Sequence, residues 1–278
     1  MEKYAVKSDV ARKIGTMIYN SGAYNLVTKK ISEFKDLKLV EQTKKNPIPK
    51  HVAIIMDGNR RFATGLGLSP NAGHLFGRDK IEEVLEWCFE LGITNLTVYA
   101  FSTENFQRNQ NEVETLMDLC KNELKKAAED SRIHKNKVKI RVIGHLDSLP
   151  KDISESAKMI MEETKDYDKY SFNIALAYGG REEILQAIKR IAKDVKDEKI
   201  KIDDIKEPII SKYLYTNGIP DPDIILRTSG EERISNFLLW QLAYSELYFS
   251  DVYWPAFQKR DFLEAIQTVQ KRKRRYGK

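Results

Sequence analysis

The sequence predicts an α/β fold with a central, mostly parallel six-stranded sheet flanked by helices. Short apolar runs of strand length recur along the chain, and amphipathic segments with helical periodicity separate them. Strands that are apolar throughout are typical of sheets covered on both faces, and alternating strands and helices are typical of parallel sheets. A chain of 278 residues, of which 41% are hydrophobic, is long enough to bury such a core.

The elements follow from these patterns in chain order. Apolar runs predict strands at 52–56, 95–101, 138–143, 172–178, 223–228 and 247–249. Helical periodicity predicts helices at 72–91, 111–133, 152–166, 181–197, 207–217, 236–243 and 259–275. We find neither an internal repeat nor a low-complexity stretch, which favours one main domain over residues 47–278.

Residues 1–46 form a separate N-terminal extension in this interpretation. Apolar and basic residues alternate there at helical spacing, which predicts one or two amphipathic helices broken near Gly22. The sequence NPIP at 46–49 predicts a stiff link, because proline fixes its own φ and restricts the residue before it. Two roles stay open for the extension: packing on the main domain, or peripheral contact with a membrane surface.

The composition indicates a soluble, cytoplasmic protein. No apolar stretch approaches the roughly 20 residues that a membrane-spanning helix needs, and the N-terminus is too polar for a signal peptide. Cys88 and Cys120 lie in helical patterns, and four scattered histidines give no zinc-binding spacing. The formal net charge of +6 fits a polyanionic partner: nucleic acid, an anionic membrane or a small anionic substrate.

The segment after the first strand is the most informative part of the chain. Asp57 follows the strand, Gly58 permits a tight turn, and Arg60 and Arg61 come almost at once. A carboxylate, a glycine turn and a basic helix start can hold a metal ion beside a phosphate. The alternative, in which Asp57 caps the helix and the arginines are solvated, stays open from these residues alone.

Other predicted strands also end in polar or glycine-bearing sequences. The four strand ends carry DGNRR (57–61), FSTEN (101–105), YGG (178–180) and RTSG (227–230). In open parallel sheets, ligands bind beyond the carboxyl ends of the strands. We therefore expect a ligand site at this edge of the sheet.

A basic clamp is predicted after the fifth strand. Arg227 ends that strand, Arg233 follows six residues later, and Ser235 adds a hydroxyl. Two guanidinium groups and a hydroxyl suit a diphosphate, because the guanidinium fork matches phosphate oxygens. The alternative is a pair of structural ion pairs with Glu231 and Glu232.

Three further side chains are candidates for the same site. Glu246 lies in an apolar and aromatic stretch, so its carboxylate needs a partner, either a metal ion shared with Asp57 or an arginine. Arg108 offers a cation near a strand end, and His74 begins a helix, where it binds a phosphate or caps the helix. No nucleophile–base set, P-loop or dinucleotide-binding glycine motif is visible. The pattern favours a substrate with a diphosphate head and a hydrocarbon tail.

The motifs as a set resemble the cis-prenyltransferases, the family of undecaprenyl and dehydrodolichyl diphosphate synthases. The resemblance runs from His51 to Gly277 and is closer to archaeal and eukaryotic members, because two arginines follow Asn59. It rests on HVAIIMDGNRRFA (51–63), YAFSTENFQR (99–108), NIALAYGGREEI (173–184), DIILRTSGEERISNFLLWQLAYSELYF (223–249) and RYG (275–277).

The resemblance implies a homodimer that condenses isopentenyl diphosphate onto an allylic prenyl diphosphate, with Mg²⁺ as cofactor, and makes cis double bonds. Residues 47–278 would then be the catalytic domain. The implied catalytic residues are Asp57, Asn59, Ser102 and Asn105, and the implied metal ligands are Asp57 and Glu246. The implied substrate-binding residues are Gly58, Asn59, Arg60, Arg61, Phe62, His74, Phe101, Ser102, Glu104, Phe106, Arg108, Arg227, Arg233 and Ser235, with Arg275 and Gly277 reaching the neighbouring subunit's site.

Two positions depart from the bacterial pattern of the family. Pro70 stands where many bacterial members have an arginine that contacts the allylic diphosphate, so we expect Arg60 to replace that arginine. Glu232 stands where many have a histidine near the metal. Small Ala100 leaves room for a growing chain, which favours medium or long products.

Three alternatives remain at this point. The first is a short-chain cis-prenyltransferase that uses a different acceptor. The second is a non-catalytic partner subunit of the same fold, against which the intact Asp57-Gly-Asn motif argues. The third, a nucleic-acid-binding protein that uses the basic tail, leaves Asp57 and Glu246 unexplained, so we expect no nucleic-acid partner.

Overall fold

The computed structural model describes residues 35–272 and confirms the predicted sheet. All five strand pairings are parallel, and the spatial order is β3-β4-β2-β1-β5-β6. The strands are β1 (His51–Ile55), β2 (Asn95–Ser102), β3 (Val138–Ile143), β4 (Tyr170–Tyr178), β5 (Ile224–Arg227) and β6 (Glu246–Phe249). Every residue of β1 and β5 is buried, as expected for central strands with helices on both faces.

Helices occupy most of the segments between the strands. They are α1 (Asn59–Gly65), α2 (Ala72–Leu91), α3 (Gln110–Glu129), α4 (Ser131–Lys135), α5 (Lys151–Glu163), α6 (Gly180–Lys196), α7 (Glu207–Tyr213) and α8 (Lys259–Lys271). Short 3₁₀ helices lie at Thr103–Gln107, Leu146–Ser148, Ile202–Asp204, Gln241–Tyr244 and Trp254–Ala256. None of the described helices is long and apolar enough to cross a membrane.

Two helix predictions differ from the structure. The predicted helix at 236–243 is wrong: Ser235, Asn236 and Leu238 have positive φ values, which no right-handed helix tolerates, and only a 3₁₀ helix follows. The predicted helix at 111–133 divides at Asp130, which leaves the helical conformation and caps α4 by accepting a hydrogen bond from the Arg132 amide at 2.8 Å.

The chain divides into two compact units at the junction of Asn46 and Pro47. Of the first unit, the structure describes a helix over 35–44. The remaining predictions for the N-terminal extension, and those for Arg275 and Gly277, lie outside the described residues.

Candidate active site

The carboxyl ends of the strands open into one cavity of about 970 Å³. Its mouth is charged and contains Asp57, Arg61, Arg227 and Arg233. From there the cavity continues between α2, α3 and the sheet. This inner part is mostly apolar and is lined by Ile81, Leu85, Val98, Leu116, Leu119, Leu124, Phe172, Ile174 and Leu176. A charged mouth that leads into an apolar tunnel suits a ligand with an anionic head and a hydrocarbon tail.

Asp57 lies two residues beyond β1 and is fixed from both the backbone and the side chain. Its amide donates to Thr228 Oγ1 at 2.9 Å, and the same hydroxyl donates to the Asp57 carbonyl at 2.7 Å. The carboxylate accepts from Arg227 at 2.7 Å and lies 3.3 Å from Arg61. Burial raises the pKa of this carboxyl, but the hydrogen bond and charge of Arg227 outweigh burial and hold the pKa below its ordinary value.

Close backbone packing sets the position of Asn59 at the start of α1. Gly58 has φ +99°, and a Cβ atom there would come within 2.7 Å of the Tyr253 ring. On α2, a Cβ at Gly77 would lie 2.2 Å from Asn59 Oδ1, so this glycine makes room for the amide. Asn59 Nδ2 donates to the Met56 carbonyl, whereas the buried Oδ1 has no partner among the described residues. This unpaired acceptor lies against α2 and is shielded from solvent.

The basic clamp, Arg227 with Arg233 and Ser235, is assembled by the turn after β5. Arg227 is only 4% exposed and donates to Ser235 Oγ at 2.7 Å and to the Arg233 carbonyl. Its Nε is buried without a partner among the described residues. The Arg233 side chain is 61% exposed and pairs with Glu231. The three residues lie together as the clamp prediction requires, whereas of the alternative ion pairs with Glu231 and Glu232 the described residues show only Arg233–Glu231. Their role in binding stays a prediction.

The Arg61 side chain contacts both the segment after β1 and the turn after β5. Its guanidinium lies 3.0 Å from Glu231, donates to Ser229 Oγ at 2.7 Å and stacks over the Tyr253 ring. Glu232, by contrast, is exposed to solvent. The structure thus gives Arg61 fixed partners and gives Glu232 no contact with Asp57.

Glu112, which the sequence analysis missed, gathers two of the predicted arginines and His74. This carboxylate on α3 is 7% exposed. Arg108 donates to it at 2.8 Å, His74 Nε2 lies at 3.5 Å and Arg60 lies at 3.6 Å. Burial lowers the pKa of His74 and the charge of Glu112 partly opposes this, so the imidazole is neutral at pH 7. We call these four residues the Glu112 cluster.

Arg60 lines the cavity, as its predicted contact with the allylic diphosphate would require. Pro70 also lines the cavity and offers no cation there. Arg60 is 54% exposed and is the least buried of the cations in the Glu112 cluster. It therefore remains the candidate to replace the arginine that many bacterial relatives carry at position 70.

Ser102 and Asn105 line the cavity and also cap the 3₁₀ helix Thr103–Gln107. The Asn105 amide donates to Ser102 Oγ at 3.2 Å, and the Ser102 amide donates to Asn105 Oδ1 at 3.0 Å. These reciprocal hydrogen bonds form a capping box. Both side chains thus have a local structural role, and their catalytic role stays a prediction.

Four predicted substrate-binding residues contact other side chains of the protein and do not line the cavity. Phe101 is buried and packs against Phe106 with ring centroids 4.8 Å apart. Glu104 accepts from Asn236 at 2.8 Å, and Phe62 packs against the Phe76 ring. The structure does not place Phe62, Phe101, Glu104 or Phe106 in the cavity wall.

Within one subunit, Glu246 and Asp57 lie at opposite ends of the sheet. The prediction that these two carboxylates meet in one subunit is therefore wrong. Glu246 begins β6 and pairs with Ile224 at the start of β5, whereas Asp57 lies beyond the far end of β1. The length of β5 alone separates their levels by roughly 10 Å. Glu246 instead pairs with Arg272 at 2.9 Å, which was the alternative given for it.

Comparison with known proteins identifies the family. The family model described as "Putative undecaprenyl diphosphate synthase" matches residues 55–277. The chain belongs to this family. It is a cis-prenyltransferase, as the motifs around Asp57 and Arg227 predicted.

Individual relatives agree with this assignment. The chain is 55% identical over 240 residues to the tritrans,polycis-undecaprenyl-diphosphate synthase (geranylgeranyl-diphosphate specific) of Thermoplasma acidophilum, covering 86% of this chain and 93% of the relative. The Thermococcus kodakarensis protein of the same name is 52% identical over 254 residues, covering 91% and 96%.

Solved structures have the same fold. Lavandulyl diphosphate synthase from Lavandula x intermedia, in complex with dimethylallyl diphosphate, superposes with a TM-score of 0.80 at 33% identity, covering 83% of this chain and 99% of that one. A probable undecaprenyl diphosphate synthase from Campylobacter jejuni gives 0.68 at 35% identity, covering 84% and 100%. These similarities confirm the fold class that the sequence predicts.

Proposed function

We propose that this cis-prenyltransferase elongates geranylgeranyl diphosphate with isopentenyl diphosphate and releases a Z-polyprenyl diphosphate. The observation that carries the proposal is the cavity, in which a charged mouth leads directly into an apolar tunnel. The names of relatives at 51–55% identity, which specify geranylgeranyl diphosphate, support the choice of starter.

The mouth offers one cationic group for each diphosphate. The basic clamp would bind isopentenyl diphosphate, because Arg227 and Ser235 are already joined and Arg233 is exposed beside them. Arg60, His74 and Arg108 of the Glu112 cluster would bind the allylic diphosphate, with its tail in the tunnel. Asp57 and Arg61 lie between the two groups.

The reaction breaks the allylic carbon–oxygen bond, and the diphosphate leaves with the electron pair. The double bond of isopentenyl diphosphate then attacks the allylic carbon and forms the new carbon–carbon bond. A proton is lost from the isopentenyl unit to a diphosphate oxygen, directly or through the side chain of Asn59, which lines the cavity. Fixed guanidinium groups stabilise the charge that develops on the leaving diphosphate, and holding both substrates in register lowers the entropic barrier.

The site fits Mg²⁺ through a single carboxylate. Mg²⁺ commonly binds one or two carboxylates together with substrate phosphates. The side chain of Asp57 is 27% exposed at the mouth, whereas the described residues contain no group of three acidic, histidine or cysteine side chains that would form a complete metal cage. Asp57 would hold Mg²⁺ together with the diphosphate, and the ion would supply neutralisation of phosphate charge, which favours departure of the leaving group.

The proposal includes a homodimer in which Arg275 and Gly277 complete the basic clamp of the neighbouring subunit. The family resemblance supports this arrangement, and the exposed Arg233 leaves space beside the clamp for a further cation. The amphipathic pattern of the N-terminal extension supports peripheral contact with a membrane, where a polyprenyl product would partition.

Product analysis tests the proposed reaction. Purified protein is incubated with Mg²⁺, radiolabelled isopentenyl diphosphate and allylic starters of two, three or four isoprene units, and products are sized by thin-layer chromatography. We expect a polyprenyl ladder, fastest with the four-unit starter and lost in Asp57→Ala. The exposed Asp166→Asn variant should retain it.

Two results would contradict the proposal. A single short product would favour a short-chain enzyme or a different acceptor. Incorporation only after addition of a second protein would favour the partner-subunit alternative.

A further inference from the structure

Charged side chains line the tunnel at the level of Glu86, about three turns of α2 from His74. Glu82 and Glu86 on α2, with Asp130 and Arg132 at the start of α4, line the cavity there. Arg132 lies 2.6 Å from Asp130, 2.8 Å from Glu82 and 3.8 Å from Glu86. We call these four residues the distal cluster.

The ion pairs of the distal cluster cross from one wall of the tunnel to the other. Glu82 and Glu86 follow the same α2 face as His74 and Ile81, which line the tunnel nearer the mouth. Arg132 is anchored on the opposite wall, because its guanidinium also hydrogen-bonds Asp130 through Nε. The end of a prenyl chain that extends along the tunnel would therefore contact the ion pairs of Arg132 with Glu82 and Glu86.

The distal cluster can open without unfolding the wall around it. The side chains of Arg132, Glu82 and Glu86 are 43%, 52% and 51% exposed, and ion pairs in such positions contribute little to stability. The adjacent Ile133, in contrast, is 4% exposed and holds α4 in the core. Charged residues at the surface thus separate the apolar tunnel from solvent.

The length of the tunnel matches the proposed starter. His74 at the mouth and Glu86 in the distal cluster are twelve residues apart on α2, roughly 18 Å at ~1.5 Å per residue. An extended chain gains about 1.2 Å per bond, so four isoprene units with four chain bonds each span roughly 18–20 Å. The tail of a four-unit starter would end at the distal cluster, and every later unit would push the chain against it or coil it inside the tunnel.

We propose that the distal cluster is a gate that determines product length, with Arg132 as the specificity-determining residue. The proposal rests on the proposed function. Passage of the chain requires an apolar end to separate the two ion pairs that cross the tunnel, Arg132–Glu82 and Arg132–Glu86, and then to enter water, so elongation slows once the tunnel is full. The gate lies roughly 18 Å from the diphosphates, so it acts on chains of four or more units and not on the condensation of a shorter starter.

Replacement of Arg132 by methionine tests the gate. Methionine keeps an unbranched side chain but removes the ion pairs. We expect Arg132→Met to lengthen the mean product by about two isoprene units or more, since each unit needs ~5 Å beyond the cluster. In a single turnover with the two-unit starter, whose tail of roughly 10 Å ends short of the distal cluster, the rate of the first condensation should stay within about twofold of wild type because the mouth is untouched. Lys151→Met, at a 90% exposed position in an unrelated ion pair, is the matched control.

Two further variants keep the test decisive if Arg132→Met folds poorly. The double variant Glu82→Gln, Glu86→Gln leaves Arg132 on Asp130 and breaks only the ion pairs across the tunnel, so it should also lengthen products. Ile133→Trp should shorten them by filling the inner end. Unchanged or shorter products in both gate-opening variants would overturn the gate while leaving the proposed function intact. A wild type that elongates no allylic starter would overturn the proposed function, and the gate with it.

Discussion

At the mouth of the cavity, Arg227 is itself buried and is held at the carboxyl edge of the sheet by several partners, whereas Arg60, His74 and Arg108 meet on a single carboxylate, Glu112. Arg227 is 4% exposed and is fixed by Asp57, Ser235 and a backbone carbonyl. The side chains around Glu112 come from α1, α2 and the segment before α3, and Arg60 is 54% exposed.

This difference indicates two ways of preparing a diphosphate site. The basic clamp is built before the ligand arrives, which favours tight and precise binding of one small substrate. The Glu112 cluster sets one carboxylate against two arginines, and its exposed Arg60 can rearrange, which suits a site that must release and rebind a longer allylic chain after each condensation. The predictions below test this contrast.

The largest effect is expected from Arg227→Met. Loss of this guanidinium removes the clamp and leaves Asp57 without its closest cation. We expect kcat/KM for isopentenyl diphosphate to fall by about 10³-fold or more and the free energy of unfolding to fall by about 2–3 kcal/mol. Steady-state kinetics and urea unfolding measure the two effects. Arg227→Lys is the matched variant, and full activity in it would show that charge alone suffices and that the guanidinium geometry is unimportant.

A smaller effect is expected from Glu112→Gln. Without the carboxylate, Arg60 and Arg108 repel each other and lose their fixed positions, so KM for the allylic substrate should rise by about tenfold while kcat changes little. The pKa of His74, which burial already lowers, should fall further because Glu112 no longer raises it. Imidazole NMR titration measures this shift. Glu114→Gln, two residues away on the exposed face, is the control. An equal change in KM in this control would contradict the claim that Glu112 positions Arg60 and Arg108.

The smallest effect concerns the acid stability that Asp57 provides. Its pKa in the folded protein lies below the ordinary value of 3.8, so the carboxylate stabilises the fold above that pH and loses this contribution as pH falls through the folded pKa. The stability difference between wild type and Asp57→Asn should be constant from pH 5 to 7 and should shrink below about pH 4. Urea unfolding over this range measures it, and a difference that grew on acidification would contradict the assignment of Arg227 as the dominant partner.

Much of the fold could be predicted because the physical signals are local. All six strands coincide with apolar runs, and β1 and β5 are buried throughout, as their composition requires. Asp57, Arg227 and Ser235 could be predicted as neighbours, since parallel strands bring their carboxyl ends to one edge.

Other features depend on tertiary contacts that no local pattern reveals. Glu112 lies two residues from the exposed Glu114 in the same polar first turn of α3, and only packing against α1 and α2 buries one and not the other. The helix predicted at 236–243 fails because the clamp turn imposes positive φ on Asn236, whose side chain accepts from the Arg181 amide.

One error was avoidable from the sequence. Glu246 immediately precedes the predicted strand at 247–249, so it belongs to the amino edge of a parallel sheet, opposite Asp57. Its apolar surroundings drew attention to the carboxylate, but the direction of the strand already excluded a shared position within one subunit.

Binding measured separately for the two diphosphates tests the central claim most directly. Calorimetry with isopentenyl diphosphate, and with a non-ionisable thio-analogue of the allylic substrate, is carried out on wild type, Arg227→Met and Arg60→Met in the presence of Mg²⁺. The account predicts that Arg227→Met loses affinity mainly for isopentenyl diphosphate and that Arg60→Met loses affinity mainly for the allylic analogue. Equal losses for both ligands in both variants would contradict the division of the mouth into two diphosphate sites.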